Sequence, residues 1–447
     1  MKVILNVFAF ISGCGSVVMM PIIITILGII MGAGLGKSIR GGLTVGVGLI
    51  GLTLSTGLMG FLSTAVGQMS ANLNLSLATI DIGWPAAAAI AFATKVGAFI
   101  IPVCLLVNII MIVTSTTQTV NIDIWNFWHF AFTGSLVAVV TGDVILGMVA
   151  AVCNEVIVLV LGDITAPALE TTLNMPGVSL PHGFSAAFAP IALLCNWIIE
   201  KIPGLRDIDF SLEGLQDKIG IFGEPIIVGF VLGLIIGVAA GQEFAVAMTT
   251  AINLAATMVL IPKMAALLME GLMPISDAAS AFIDKHFSGK GQMYIGLDSA
   301  IGVGHPMTIT LALILVPVSL FLAVILPGNT VLPAVDLAVF PFIFVLILPI
   351  CKGNGFRSLI TGLICLTAGL YIATYLAGPT TAVAASIDFD MGGATSISSI
   401  CDGANPLTAL LFTIGKLPTV VAYVVLIAVA VAFAVYNGIR IRKINKA

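Results

Sequence analysis

The chain has 447 residues, 59% of them hydrophobic and only 9% charged, with a formal net charge of −4 and a mean hydropathy of +1.19. A soluble domain carries about 25% charged residues, so this chain cannot cover a soluble surface of its size. Long apolar runs exclude a transmembrane β-barrel, whose strands alternate in short segments, and the acidic balance offers nucleic acid no basic field.

What remains is an all-α polytopic membrane protein. The run that begins after Lys2 continues to about Met31, too long for the apolar core of a signal peptide, and it reads as a retained first span. Crossing a bilayer takes about 20 apolar residues. On that rule spans are predicted near 5–33, 43–67, 84–113, 123–141, 144–162, 220–241, 243–271, 305–327, 333–351, 358–377 and 407–438, eleven in all. The basic tail Arg440, Arg442, Lys443 and Lys446 places the C-terminus in the cytoplasm and, through eleven crossings, the N-terminus outside. Lys37 and Arg40, the linker residues Lys201, Arg206 and Lys218, and the pairs Lys285/Lys290 and Lys352/Arg357 then also fall inside.

The two halves repeat. Asp81-Ile82-Gly83-Trp84-Pro85 and Gly302-Val303-Gly304-His305-Pro306 each open an apolar run, and His182-Gly183 matches Asp402-Gly403. The expected organisation is a first repeat over 1–200 with a re-entrant hairpin at about 163–190 and a cytoplasmic linker over 201–219. A second repeat follows over 220–406 with a hairpin at about 378–406, then a last span and basic tail over 407–447. Five crossings per repeat make the second inverted relative to the first, with scaffold and mobile core interleaved across both. Solute is then expected near the midplane.

Polar, helix-breaking backbone at membrane depth is tolerated where it lines a cavity or is buried in protein. His182 and His305 each abut a Pro, with a Gly close by, and imidazole both donates and accepts hydrogen bonds, which suits hydroxyl groups. Asp298 and Asp402 lie beside the same breaks, as solute ligands or as helix caps. With Trp84, Gly183 and Asn405 they form the candidate solute site. His129, in Trp125-Asn126-Phe127-Trp128-His129, is read as an interfacial anchor, and His286 as a solvated loop residue. Glu224 begins a span as a gate, a partner contact or a helix N-terminal acid. Lys95 and Glu155 both fall near mid-membrane in the expected spans, which predicts a structural ion pair. Seven Cys without C-x-x-C spacing read as buried hydrophobes, and no metal or cofactor is expected.

These pieces resemble the galactitol-family IIC permease subunit of the bacterial sugar phosphotransferase system. The matching residues are Asp81-Ile82-Gly83-Trp84-Pro85, Val120-Asn121-Ile122-Asp123-Ile124-Trp125-Asn126, Pro181-His182-Gly183 and Glu200-Lys201-Ile202-Pro203-Gly204. They continue with Phe222-Gly223-Glu224-Pro225, Ile295-Gly296-Leu297-Asp298 and Pro327-Gly328-Asn329. Lys95 and Glu155 fall outside them. The resemblance implies an inner-membrane homodimer that moves galactitol or a related polyol by an elevator-type shift. A separate IIB subunit, phosphorylated on cysteine and supplied by IIA, would then phosphorylate the polyol at the cytoplasmic face. Asp298, His305 and His182 are the candidate acceptors of the hydroxyl proton. The competing reading is an ion-coupled secondary transporter of a small polar solute.

Overall fold

The structure is a computed structural model that describes residues 16–56, 60–73, 75, 77–208, 224–287, 293–303 and 305–444. The expected start of the first span at residue 5, the linker beyond residue 208, Gly304 and the side chain of His286 lie outside the described residues.

Uniformly apolar segments are helical because only a helix satisfies its own backbone without water. The first half comprises α1 (Ser16–Ile30), α2 (Leu35–Thr56), α3 (Gly60–Leu73), β1 (Thr79–Asp81), α4 (Trp84–Ala93), α5 (Lys95–Val113) and β2 (Thr119–Asn121). A 3-10 turn (Ile124–Phe127) leads into α6 (Trp128–Thr141), followed by α7 (Val144–Leu173), β3 (Val178–Ser179), α8 (Gly183–Ala187) and α9 (Ala189–Lys201). The second half comprises α10 (Pro225–Ala239), α11 (Phe244–Phe287), β4 (Tyr294–Gly296), α12 (Ala300–Val303), α13 (Pro306–Ile325) and β5 (Val331–Leu332). After a 3-10 turn (Asp336–Val339) come α14 (Phe340–Ile350), α15 (Gly355–Ser386), β6 (Ile397–Ser398), α16 (Pro406–Gly415) and α17 (Thr419–Ile444). Among the described residues six stretches are long and apolar enough to cross a membrane, with shorter apolar helices between them. The chain is a mostly helical, multi-pass membrane protein.

The expected span at 84–113 is two helices. Thr94 adopts φ −80°, ψ 166° and accepts a hydrogen bond from Gly97 N to cap α5, while its hydroxyl lies 2.7 Å from that of Ser135 on α6. Lys95 therefore opens a helix and is exposed. Glu155, on α7, is fully buried, and both its carboxylate oxygens lack a hydrogen-bond partner. The predicted Lys95–Glu155 ion pair does not form: the break at Thr94 turns the lysine out of the protein. The last expected span is also split, at Leu417-Pro418, so Lys416 caps α16 instead of entering a span, with its ammonium 5.5 Å from the Phe412 ring centre.

Elsewhere helices run on. α7 extends past the expected end at 162 through Pro167 to Leu173, and α15 passes Pro379 to Ser386. Asp143 caps α7, accepting from Ile145 N and Leu146 N, and Asn354 caps α15, accepting from Arg357 N. In both halves the first arm expected of the hairpin is the continuation of a long helix.

The all-α expectation missed two small parallel sheets, ordered β5-β1-β6 and β2-β4-β3. Each takes its middle strand from one half of the chain and both outer strands from the other. Ile80 pairs with Leu332 on one side and Ile397 on the other. Ile295 pairs with Val120 and with Val178. Where helices break inside an apolar protein the freed N–H and C=O groups need partners, and these segments supply them to one another.

At the end of α9 a polar cluster gathers. Glu200 accepts from Lys352 Nζ at 2.7 Å and from Arg357 Nη1 at 3.2 Å. Arg357 also donates to the Arg206 carbonyl and Asn354 to that of Ile208. The described start of the linker is thus tied to the turn between α14 and α15.

Candidate functional site

Two buried carboxylates organise the helix breaks. Asp81 Oδ2 accepts from the backbone N–H groups of Ala334, Val335 and Asp336 at 2.9–3.0 Å, and Oδ1 accepts from Gly83 N. Gly83 itself has φ 79°, a left-handed conformation that favours glycine. Asp336 Oδ1 accepts from Trp84 N at 2.6 Å, and Oδ2 accepts from Ser399 Oγ and Cys401 N. Together they bind the segments around 81–84, 334–336 and 399–401 into one unit. Neither was a candidate from sequence, although for Asp81 the Asp two places before Gly83 at a span boundary is the pattern of such a turn.

On that frame the two polar tips meet. His129 Nδ1 lies 2.7 Å from Asp402 Oδ2. Asn405 donates to Asp402 Oδ1 at 2.9 Å and to the Gly183 carbonyl at 3.1 Å, while its own oxygen caps α16 through Leu407 N and Thr408 N. A Cβ on Gly183 would sit 2.4 Å from the Cβ of His129, so only glycine lets α8 come this close to α6. His182 caps α8, its Nδ1 accepting from Ser185 N at 3.3 Å. That bond leaves the proton on Nε2, which faces Asp298 Oδ1 at 3.6 Å. Asp298 in turn accepts from Ala300 N.

In front of these residues is a cavity of about 110 Å³. Trp84, Trp125 and Trp128 form an aromatic wall, with Phe184 and Phe342; His129, His182, Asp298, Asn126 and Cys401 supply the polar atoms. Trp84 stacks on Trp128 at 6.5 Å, and the rings of His129 and His182 are 4.6 Å apart. Two polar atoms of these residues, Trp128 Nε1 and His129 Nε2, are buried without a hydrogen-bond partner. An acid on Nδ1 fixes the His129 tautomer, so Nε2 offers a lone pair where Trp128 offers an N–H.

Of the residues singled out from sequence, Trp84, His182 and Asp298 line the cavity. Gly183, Asp402 and Asn405 are buried behind it and hold His129. His305 is not among the lining residues; it stands at the N-terminus of α13 without a side-chain cap bond. Glu224 is exposed at the start of α10, likewise without one. His129 was misread: it is 1% exposed, not an interfacial anchor. Trp125, Asn126, Trp128 and Cys401 were also missed, although the density of aromatic and polar residues over 125–129 was the available signal. Ligand atoms of His129, Cys401 and Asp402 lie within 4.8 Å of one another, but the His129–Asp402 hydrogen bond already satisfies two of the three groups.

A family profile described as the sugar-specific permease component of the PTS, the phosphotransferase system, matches residues 10–393. A putative permease IIC component of Escherichia coli K12 is 37% identical over 440 residues, 98% of this chain and all of the relative. The galactitol-specific EIIC component of the phosphotransferase system of the same strain is 38% identical over 425 residues, 95% of this chain and 94% of the relative. The family profile and relatives this similar along nearly the whole chain establish the assignment: the chain belongs to the sugar-specific permease (IIC) components of the phosphotransferase system.

Proposed function

We propose that this chain carries galactitol or a closely related polyol across the bacterial inner membrane, coupled to phosphorylation by a separate IIB subunit with IIA upstream. The observation that carries the reading is the cavity: an aromatic wall for the C–H faces of a linear polyol, with Asn126, His129, His182 and Asp298 among its lining residues. Hydroxyl groups both donate and accept, which suits the imidazoles, the amide and the carboxylate of that lining. The galactitol-specific relative supports the choice of solute.

In this reading Trp84 stacks on the solute, His182 Nε2–H donates to a hydroxyl and Asp298 accepts from one. Gly183, Asp402 and Asn405 position His129. Phosphorylation needs an acceptor for the hydroxyl proton. Asp298 and His129 line the cavity and take that role before His182, whose Nε2 already carries its proton, and before His305. Glu224, exposed at a helix start, faces the partner or gates.

The reciprocal exchange of strands supports two inverted repeats, 1–200 and 220–406, each closing on a hairpin at about 163–190 or 378–406. The tips then meet at a midplane solute site that moves by an elevator-type shift within a homodimer. The N-terminus is outside and the C-terminus cytoplasmic.

Proteoliposomes holding the chain, with phosphoenolpyruvate and the soluble phosphotransferase proteins inside, test this. Phosphorylated polyol is expected to accumulate only when those proteins are present. Uphill uptake of unmodified polyol on a proton or sodium gradient would replace the reading with a secondary transporter.

A further inference from the structure

A second cavity, of about 510 Å³, opens beside the turn between α1 and α2, and shares no lining residue with the first. Its wall carries two cations, Lys37 and Arg40, and two acids, Glu270 and Asp277. Its floor is the crossing of α2 and α11. A Cβ on Gly41 would lie 2.5 Å from the Gly271 carbonyl oxygen, and one on Gly271 2.6 Å from that of Gly41. The backbones touch, and the longer side chains stand around the mouth. Arg40 Nη2 and Glu270 Oε1 are 3.7 Å apart, with the side chains 82% and 57% exposed, a geometry that contributes little. Lys37 and Asp277 enter no ion pair among the described residues.

The depth of this cavity can be measured along α11. With the turn before Phe244 taken as one membrane surface, the apolar part of α11, Phe244–Leu260, leads away from it. Glu270 lies 26 residues further on (270 − 244), or ~39 Å at a helical rise of 1.5 Å. A bilayer with its headgroups is about 40–45 Å thick. On that measure Glu270 reaches the headgroup layer of the opposite leaflet and Asp277, ~50 Å from Phe244, its aqueous edge, with the α1–α2 turn beside them in the cavity wall. Beside the cavity, on an adjacent face of α2, an apolar stripe runs along the helix. Leu35, Ile39, Leu43, Val47, Ile50 and Leu54 recur every three or four residues, each 43–73% exposed.

We propose that this cavity binds the headgroup of a zwitterionic phospholipid carrying a primary ammonium. The phosphodiester sits on Lys37 and Arg40, the ammonium on Glu270 and Asp277, and the acyl chains lie along the α2 stripe. The balanced lining charge selects the class. An anionic headgroup meets two carboxylates without an ammonium to satisfy them. A choline headgroup has no N–H to donate, whereas an ammonium has three.

The test uses the full chain in detergent micelles, titrated with phosphatidylethanolamine, phosphatidylcholine or phosphatidylglycerol. Retained lipid is counted by native mass spectrometry and the thermal midpoint is recorded. Phosphatidylethanolamine is expected to be retained at least fivefold over the other two and to raise the midpoint most. Lys37→Gln with Arg40→Gln removes that retention. Glu270→Gln with Asp277→Asn reverses the preference toward phosphatidylglycerol. Glycerophosphoethanolamine, a headgroup without chains, gives no shift, which separates a lipid from a soluble zwitterion. If a double variant fails to fold, the single variants Lys37→Gln and Asp277→Asn carry the same comparison. Equal retention of the three lipids, or variants that retain them as the parent does, overturns the proposal. So does a change of oligomeric state in the variants at constant lipid retention, which would make this face a contact between copies of the chain.

Discussion

Nδ1 of His129 and Oδ2 of Asp402 lie 2.7 Å apart although 273 residues separate them in sequence. Both side chains are buried, so the bond is shielded from water and sets the tautomer of the imidazole. Asp402→Asn keeps the shape but presents Nδ1 with an amide that can donate, which moves the ring proton to Nε2. Polyol affinity measured by calorimetry is then expected to fall roughly tenfold or more, the worth of one buried hydrogen bond. Affinity equal to the parent would remove His129 from the solute site.

Gly183→Ala drives a methyl group into the same ring, at 2.4 Å from its Cβ. Overpacking of this kind costs about 1–3 kcal/mol. The expected result is a lower unfolding midpoint together with weaker polyol binding, because the displaced ring is His129. A normal midpoint and normal binding would mean that α8 can move away freely.

Asp81→Ala strands the N–H groups of Ala334, Val335, Asp336 and Gly83. At about 1–3 kcal/mol for each buried unsatisfied group, this is the most damaging single change outside the cavity. Asp336→Ala acts on the same unit, so the double variant should be clearly less destabilised than the sum of the two. Additive losses would show the carboxylates to be independent.

Glu155 is buried and its oxygens have no hydrogen-bond partner, while Lys95 is exposed. Glu155→Gln is expected to leave the melting temperature unchanged or raise it, and Lys95→Gln to act independently. Rescue of one substitution by the other would restore the ion pair that the helix break removes.

The Lys352 ammonium, followed by Arg357, holds the Glu200 carboxyl below its ordinary value. A lowered folded value means the bond is fully present above the unfolded value, near 4.5, and is lost as pH falls through the folded one. Amide exchange over residues 201–208 should therefore quicken in acid relative to its ordinary pH trend, while Glu200→Gln should lose that step. Identical profiles for parent and variant would leave Glu200 without a role in holding the linker.

Much of the helical framework was legible because composition dictates it. The helix breaks around His182-Gly183 and Asp402-Gly403 were legible too, since a polar residue beside glycine inside apolar sequence has few reasons to exist. The break at Thr94 was not, because Thr-Lys carries neither proline nor glycine and only the contact with Ser135 reveals it. Strands of two or three residues show no period to read. His129 looked interfacial among its tryptophans. Only the long-range pairing with Asp402 separates a ring at the membrane surface from one at the centre of the fold.

The strand exchange also governs the order of assembly. β1 has both its edges filled by strands from the second half, β5 and β6, so it leaves the ribosome with two bare edges and waits for some 250 residues (331 − 81) before the first is covered. In a bilayer bare backbone is costly. The first half is thus an incomplete object until the second arrives, and the chain matures as one interlocked unit, not as two finished halves joined by a linker.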